Sequence, residues 1–222
     1  MTPTAARLVS VNRGRPRLVV AGGKRYSTAI NKQPVDGPVA ITSEGLDGDR
    51  VADSKNHGGV DQAVCCYPIE HYDEIGGRLG VELHIPAFGE NLTTEGLLET
   101  DVCIGDTYQI GDALIQVSLP RVPCVKLAGK HNQPALIQWI EETAYTGFYC
   151  RVVQPGRVEC GSRIELQHRP HPGVTVEMVA RARFRASTPT AVLERLSQLV
   201  ELKQEWRERF ARRATRSDKE MT

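Results

Sequence analysis

Leu119-Pro120-Arg121-Val122-Pro123-Cys124-Val125-Lys126 follows directly on Ala113-Leu114-Ile115-Gln116-Val117-Ser118. The earlier run alternates apolar and polar residues and reads as a strand, while Pro120 and Pro123 fix φ and stop a helix from starting in the segment behind it. Cys124 is thereby set on a stiff, irregular stretch at a strand's end. Arg121 and Lys126 flank it, and two cations at that range favour the thiolate, the form that ligates soft metals or attacks as a nucleophile. A structural cysteine packed beside ordinary surface charges fits the same local pattern, since cysteine is among the most buried residue types.

Upstream, the chain is a series of short apolar runs broken by Gly, Pro and Asp. Residues 6–12 alternate like a strand, and Leu18-Val19-Val20 is a second short run before Gly22-Gly23. Lys24-Arg25-Tyr26-Ser27-Thr28 then places two cations and two hydroxyls within five residues, a composition suited to an anion such as a phosphate. A solvated strand edge carrying Lys and Arg has the same composition. Gly45-Leu46-Asp47-Gly48-Asp49-Arg50 is a turn able to take positive φ and bring the chain close to a ligand, or simply a tight connection. His57-Gly58-Gly59-Val60-Asp61 leads into the apolar run Ala63–Tyr67, so His57 and Asp61 sit at a strand's entry, a common address for site residues on a rigid scaffold. Val102–Asp112 reads as two strand pieces with turns. Helices are predicted from Pro68 and over Asn132–Thr143, and the last strands at 147–153 and 162–166. Many short strands with few helices argue for a closed or nearly closed barrel over a doubly wound sheet, and neither GxGxxG nor GxxxxGK[ST] occurs.

After His168-Arg169-Pro170-His171-Pro172-Gly173 the character changes to helical, which divides the chain into 1–168 and 169–222. Helices are expected over 174–183, 190–200 and 201–213. In the second, Val192, Leu193, Leu196, Leu199 and Val200 make one apolar face. Residues 170–222 hold 11 Lys or Arg against 7 acids, which fits a solvated face or, less economically, an acidic partner or nucleic acid.

Composition narrows the class. With 40% hydrophobic and 25% charged residues and a formal charge of +1, the chain reads as an ordinary globular protein with no field favouring nucleic acid or an anionic membrane. No run approaches a spanning length and no secretory signal is visible at Met1, so the cytoplasm is the expected location. The six cysteines (65, 66, 103, 124, 150 and 160) form no CxxC pair, which predicts reduced thiols rather than disulfides or a structural zinc site.

Taken together, Ser27-Thr28-Ala29-Ile30, Gly45–Arg50, His57-Gly58-Gly59-Val60-Asp61, Glu70-His71-Tyr72, Phe88-Gly89-Glu90-Asn91-Leu92 and Pro120–Cys124 occur in the order seen in MOSC-domain proteins, and the chain resembles their bacterial YiiM group. The resemblance implies a MOSC β-barrel to about residue 165, followed by a small C-terminal three-helix domain. It also implies binding of the molybdenum cofactor, a pterin dithiolene carrying molybdenum, with Cys124 as the metal's ligand. Lys24, Arg25, Ser27 and Thr28 would suit the pterin phosphate, with Arg50, Arg121 and Arg151 as further cations, and His57, Asp61 and Asn91 would suit the pterin edge. The implied activity is reduction of N-hydroxylated compounds such as 6-hydroxylaminopurine, with His57 or Asp61 handling the proton or anchoring the cofactor. A carrier or sulfur-handling role without turnover is the alternative. No FAD, haem or iron–sulfur site is readable, so electrons would come from a donor protein. Direct pyridoxal-phosphate chemistry is discounted, because the chain has no room for an aminotransferase-like domain. A second copy of the chain is a further candidate partner, against which the apolar helix face could pack.

Overall fold

The computed structural model describes residues 5–21, 24–53 and 58–220. In it the alternating runs become strands: β1 (Arg7–Arg13), β2 (Arg17–Ala21), β3 (Lys24–Thr28), β4 (Gln33–Pro34), β5 (Val39–Thr42), β6 (Gly45–Leu46), β7 (Val64–Pro68), β8 (Leu92–Glu95), β9 (Thr107–Ile110), β10 (Ala113–Pro120), β11 (Phe148–Gln154), β12 (Gly156–Val158) and β13 (Ile164–His168). The helices are α1 (Tyr72–Leu79), α2 (Val125–Lys130), α3 (Leu136–Thr143), α4 (Val176–Phe184), α5 (Thr190–Ser197) and α6 (Gln204–Glu220). No helix among the described residues is long and apolar enough to cross a membrane.

Eight strands form one sheet in the order β13-β9-β10-β11-β7-β8-β1-β4, in which only β7 and β8 run parallel. A three-stranded sheet (β12-β5-β6) and the β2–β3 hairpin are separate. The expected closed barrel is not formed by a continuous ladder. The start of β1 instead meets the start of β13 through a single bridge, Arg7 to Arg163, flanked by Leu8 N–H to Ser162 O at 2.9 Å and Ile164 N–H to Ala6 O at 2.9 Å. The fold is mixed and sheet-dominated, with helices at its flanks.

Two local expectations change. The region expected as two strand pieces gives one strand, β9, plus an isolated bridge from Cys103 to Thr175. Behind the two prolines a helix does start, at Val125. The steric restriction from Pro123 falls on Val122, and Cys124, extended at φ −123° and ψ 158°, ends the irregular segment as the residue preceding α2.

The three C-terminal helices are present, with Thr175 capping α4 by accepting from Met178 N–H at 3.1 Å. Pro170–Gly173 separates chain elements but not cores, because one apolar cluster runs from Leu8, Ile104 and Val117 of the sheet side through Val176, Leu196 and Phe210. Backbone bonds cross the same boundary: Ile104 N–H to Val174 O at 2.9 Å and Val176 N–H to Val102 O at 2.8 Å. Of the apolar face read on α5, Leu193, Leu196 and Leu199 are buried, whereas Val200 is 71% exposed because the helix ends at Ser197 and Val200 lies in the following turn.

Removing residues 169–222 should therefore strip cover from Ile104 and Val117, each worth about 1.5–3 kcal/mol when buried, and leave an apolar patch. The truncated chain is expected to aggregate in size-exclusion chromatography. A monodisperse 1–168 fragment that melts as the full chain does would contradict this.

Candidate functional site

Between the end of β3, the 49–53 loop, the start of β7 and the Arg121–Lys126 segment lies a cavity of about 310 Å³. Part of its lining is organised around a largely buried carboxylate, 11% exposed. Asp49 receives Lys32 Nζ at 2.5 Å and Gly14 N–H at 2.7 Å on Oδ1, and Asn91 Nδ2 at 2.9 Å on Oδ2. Asn91 also accepts from Cys65 N–H at 3.1 Å and donates to Asn12 O at 3.3 Å. Lys32 and Asn91 are almost wholly buried, and such a charge is tolerated inside a protein only when it is paired and hydrogen-bonded in this way. Gly89 completes this wall. At φ +76° it brings the chain against Ile30, and a Cβ there would lie 2.6 Å from Ile30 Cγ1.

Arg121 also lines the cavity, 6% exposed, with its backbone N–H donating to Gly147 O at 3.1 Å. Burial works against its charge, but Cys65, Tyr149, Cys124 and Glu90 surround the guanidinium and raise its pKa above the ordinary value. Glu90 is itself fully buried and accepts from Tyr72 Oη, from Thr93 Oγ1 at 3.0 Å and from Phe88 N–H at 3.0 Å. Two cysteines line the cavity. Burial pushes the Cys65 thiol up to about 12 despite Arg121, so it stays neutral. Cys124 is only partly buried, on the same wall as Arg121 and Lys126. It is the more accessible of the two thiols.

The residues singled out in the sequence divide into groups. Thr28, Arg50, Asn91, Arg121 and Cys124 meet at the cavity. Thr28 Oγ1 accepts from Ile30 N–H at 3.2 Å, and Arg50 is tethered by its own N–H to Gly14 O at 2.9 Å with its side chain exposed. Arg25 and Ser27 are exposed on β3 and do not line the cavity. Lys24 opens β3, paired through its backbone with Ala21. His57 lies outside the described residues.

Asp61 and Arg151 face each other at 2.7 Å, away from the cavity lining. Arg151 also donates to Gln116 Oε1 at 2.7 Å and to Glu201 O at 2.8 Å, while Ser118 Oγ donates to Asp61 O at 2.5 Å. Asp61 thus fastens the 60–62 turn to the sheet and to the C-terminal helices. Its neighbour Gln62 does line the cavity and accepts from Lys203 Nζ at 3.2 Å. Lys32, Tyr149 and Gln62 were not singled out as site residues. Lys32 precedes Gln33-Pro34 and looks like a loop cation, and its buried partner lies 17 residues away.

Among the described residues no three His, Cys, Asp or Glu side chains are grouped to hold a metal.

A model of the MOSC domain matches residues 53–165, a span that includes Cys124, Arg121 and Asn91. The chain belongs to the MOSC-domain family. This MOSC protein is 40% identical to the protein YflK of Bacillus subtilis strain 168 over 94% of its own length and 95% of that relative. Its fold overlays the crystal structure of YiiM from Geobacillus stearothermophilus with a TM-score of 0.80 at 36% identity, covering 94% of this chain and 99% of the other, which makes it YiiM-like. A protein named reductase from Gibberella moniliformis is 37% identical over 82% of this chain, but the match spans only 33% of that longer protein.

The two cavity cysteines should separate by reactivity. With iodoacetamide near pH 8, peptide mass spectrometry is expected to find Cys124 and the exposed Cys160 alkylated, while Cys65 remains protonated and unlabelled until the pH approaches its raised pKa. Labelling of Cys65 ahead of Cys124 would reverse their assignments.

Proposed function

We propose that this MOSC protein is an oxidoreductase that binds the molybdenum cofactor through Cys124 and reduces N-hydroxylated small molecules such as 6-hydroxylaminopurine. The observation that carries the reading is the convergence on one cavity of a partly buried thiol, the buried Arg121 guanidinium and Lys126. The residues fit the group. The volume of about 310 Å³ is at the small end of ligand sites, which run from roughly 300 to 1,000 Å³, and suits one pterin-sized body. A single thiol suits a metal already chelated by dithiolene sulfurs, and Arg50 and Lys126 at the cavity edge suit a phosphate.

When bound, the cofactor supplies a metal centre able to pass two electrons to an N–O bond. The overall change is R–NHOH + 2 e⁻ + 2 H⁺ → R–NH₂ + H₂O, with a reduced electron-carrier protein as the species oxidised. The chain's own contribution is positional. Arg121 sets a buried positive charge beside Cys124, the Asp49–Lys32–Asn91 cluster fixes another part of the lining, and Gly89 lets backbone approach closely. Asp61, engaged by Arg151, is assigned to holding the 60–62 turn rather than to proton transfer. The relative named reductase, in which the matching region is a third of the chain, supports an enzyme that works with a further module.

The test uses protein purified from cells that make the cofactor. Parent protein should contain molybdenum and turn over 6-hydroxylaminopurine with dithionite as donor. Cys124→Ser should lose about tenfold or more of its metal with an unchanged melting temperature, since a hydroxyl is a harder and far less acidic ligand. Molybdenum without turnover in the parent would favour a carrier, and equal metal in both proteins would remove Cys124 from the site.

A further inference from the structure

A second cavity, of about 450 Å³, lies between the 81–87 segment and the end of α2. It shares Lys32 with the cavity that holds Cys124. One helix serves both, since α2 follows Cys124 at its start and ends on Lys130, with His131 next. Among the described residues the second lining carries Lys32, His84, Lys130 and His131 against a single carboxylate, Glu82. Lys32 is neutralised by Asp49, whereas Lys130 lies within salt-bridge distance of no described carboxylate.

The backbone beneath this cavity is tied to the interior and leaves its carbonyls to the lining. Ala87 N–H donates to Tyr72 Oη at 3.0 Å and Phe88 N–H to Glu90 Oε2 at 3.0 Å. Lys130 Nζ donates to Pro86 O at 2.8 Å, and His131 Nε2 to Ala87 O at 2.9 Å. A lysine at a helix C-terminus commonly serves that helix's own carbonyls, but this one is drawn across to another segment and held there. Pro86 O takes one of its three N–H groups. Burial lowers the Lys130 amine to about 8, with Glu90 opposing the shift and Arg121 adding to it. Glu90 cannot serve as its counter-ion, because it already accepts from Tyr72 Oη, Thr93 Oγ1 and Phe88 N–H.

We infer that this second cavity binds a phosphate dianion, free or as a small phosphomonoester, on Lys130 and His131. A partly buried ammonium without a bonded carboxylate is costly, and an anion beside it offsets that cost through charge-assisted hydrogen bonds. Both donors are held in place before the ligand arrives, which lowers the entropy lost on binding. The volume falls within the range of small-molecule sites, roughly 300 to 1,000 Å³, and so has room for more than a bare ion. A metal ion is the poorer occupant, since Lys130 repels it and no three His, Cys, Asp or Glu side chains are grouped among the described residues. The inference does not depend on what fills the first cavity.

The experiment uses the full-length protein as purified, in HEPES at pH 8, pulse-labelled with the N-hydroxysuccinimide ester of acetic acid and read by peptide mass spectrometry. Inorganic phosphate and glycerol 3-phosphate are the two probes, each compared with sodium chloride at equal ionic strength. At this pH an amine with a pKa of about 8 is half unprotonated, and an anion that raises it by about one unit cuts the reactive fraction roughly fivefold. Acetylation of Lys130 should therefore fall about fivefold or more with a saturating probe, while Lys203, which lines neither cavity, is labelled as before. Protection at a lower concentration of glycerol 3-phosphate than of phosphate would identify a phosphomonoester as the ligand, and equal protection would identify free phosphate. Arg50→Ala, a change in the first cavity, should leave the protection of Lys130 intact. The site is refuted if neither probe protects Lys130 beyond sodium chloride, if Lys203 is protected equally, or if Arg50→Ala abolishes the effect, which would place the anion in the first cavity.

Discussion

Asp49, its side chain 11% exposed, gathers Lys32, the Gly14 N–H and Asn91 onto its two carboxylate oxygens. Satisfying it draws together the end of β1, the segment after β3, the 45–50 turn and the loop before β8, which are far apart in sequence. Asn91 passes the constraint on to β7 by accepting from Cys65 N–H. This part of the cavity lining is therefore fixed by hydrogen-bond geometry rather than by apolar packing alone. A rigid polar wall suits recognition of a ligand with defined donors and acceptors.

The second charged layer has the opposite sign. Arg121 lies in the interior among Cys65, Tyr149, Cys124 and the buried Glu90, which together outweigh the cost of burying its charge. This arrangement gives the two cavity cysteines different chemistry from one cation. Cys65 is buried deeply enough that desolvation prevails and the thiol stays neutral, whereas Cys124, on the segment leading into α2, is only partly withdrawn from solvent. The division depends on depth, not on residue type.

Much of this was legible in the sequence, and the parts that were not share a cause. Thr28 closes β3, Arg50, Asn91, Arg121 and Cys124 stand in loops beside Gly or Pro, and all five reach the cavity. Lys32 and Tyr149 were missed because their roles come from partners brought in by the fold: Asp49 for Lys32, Arg121 for Tyr149. The pairing of Asp61 with Arg151 spans 90 residues, so spacing around the Gly-Gly turn could not show that the carboxylate faces away from the cavity lining. The Pro-Gly segment marked a change of element type correctly. It could not reveal that α4, α5 and α6 complete the sheet's own core, because amphipathic faces do not name their partner. Likewise, strand count suggested closure, but register left β1 and β13 touching at one bridge.

The central claim is that Cys124 is occupied by the metal when the protein is loaded. Protein fractions of graded molybdenum content, treated with iodoacetamide and read by peptide mass spectrometry, test it directly, with exposed Cys160 as the internal standard. The account predicts that Cys124 labelling falls in proportion to molybdenum occupancy while Cys160 labelling stays constant. Full labelling of Cys124 in fully loaded protein would contradict it.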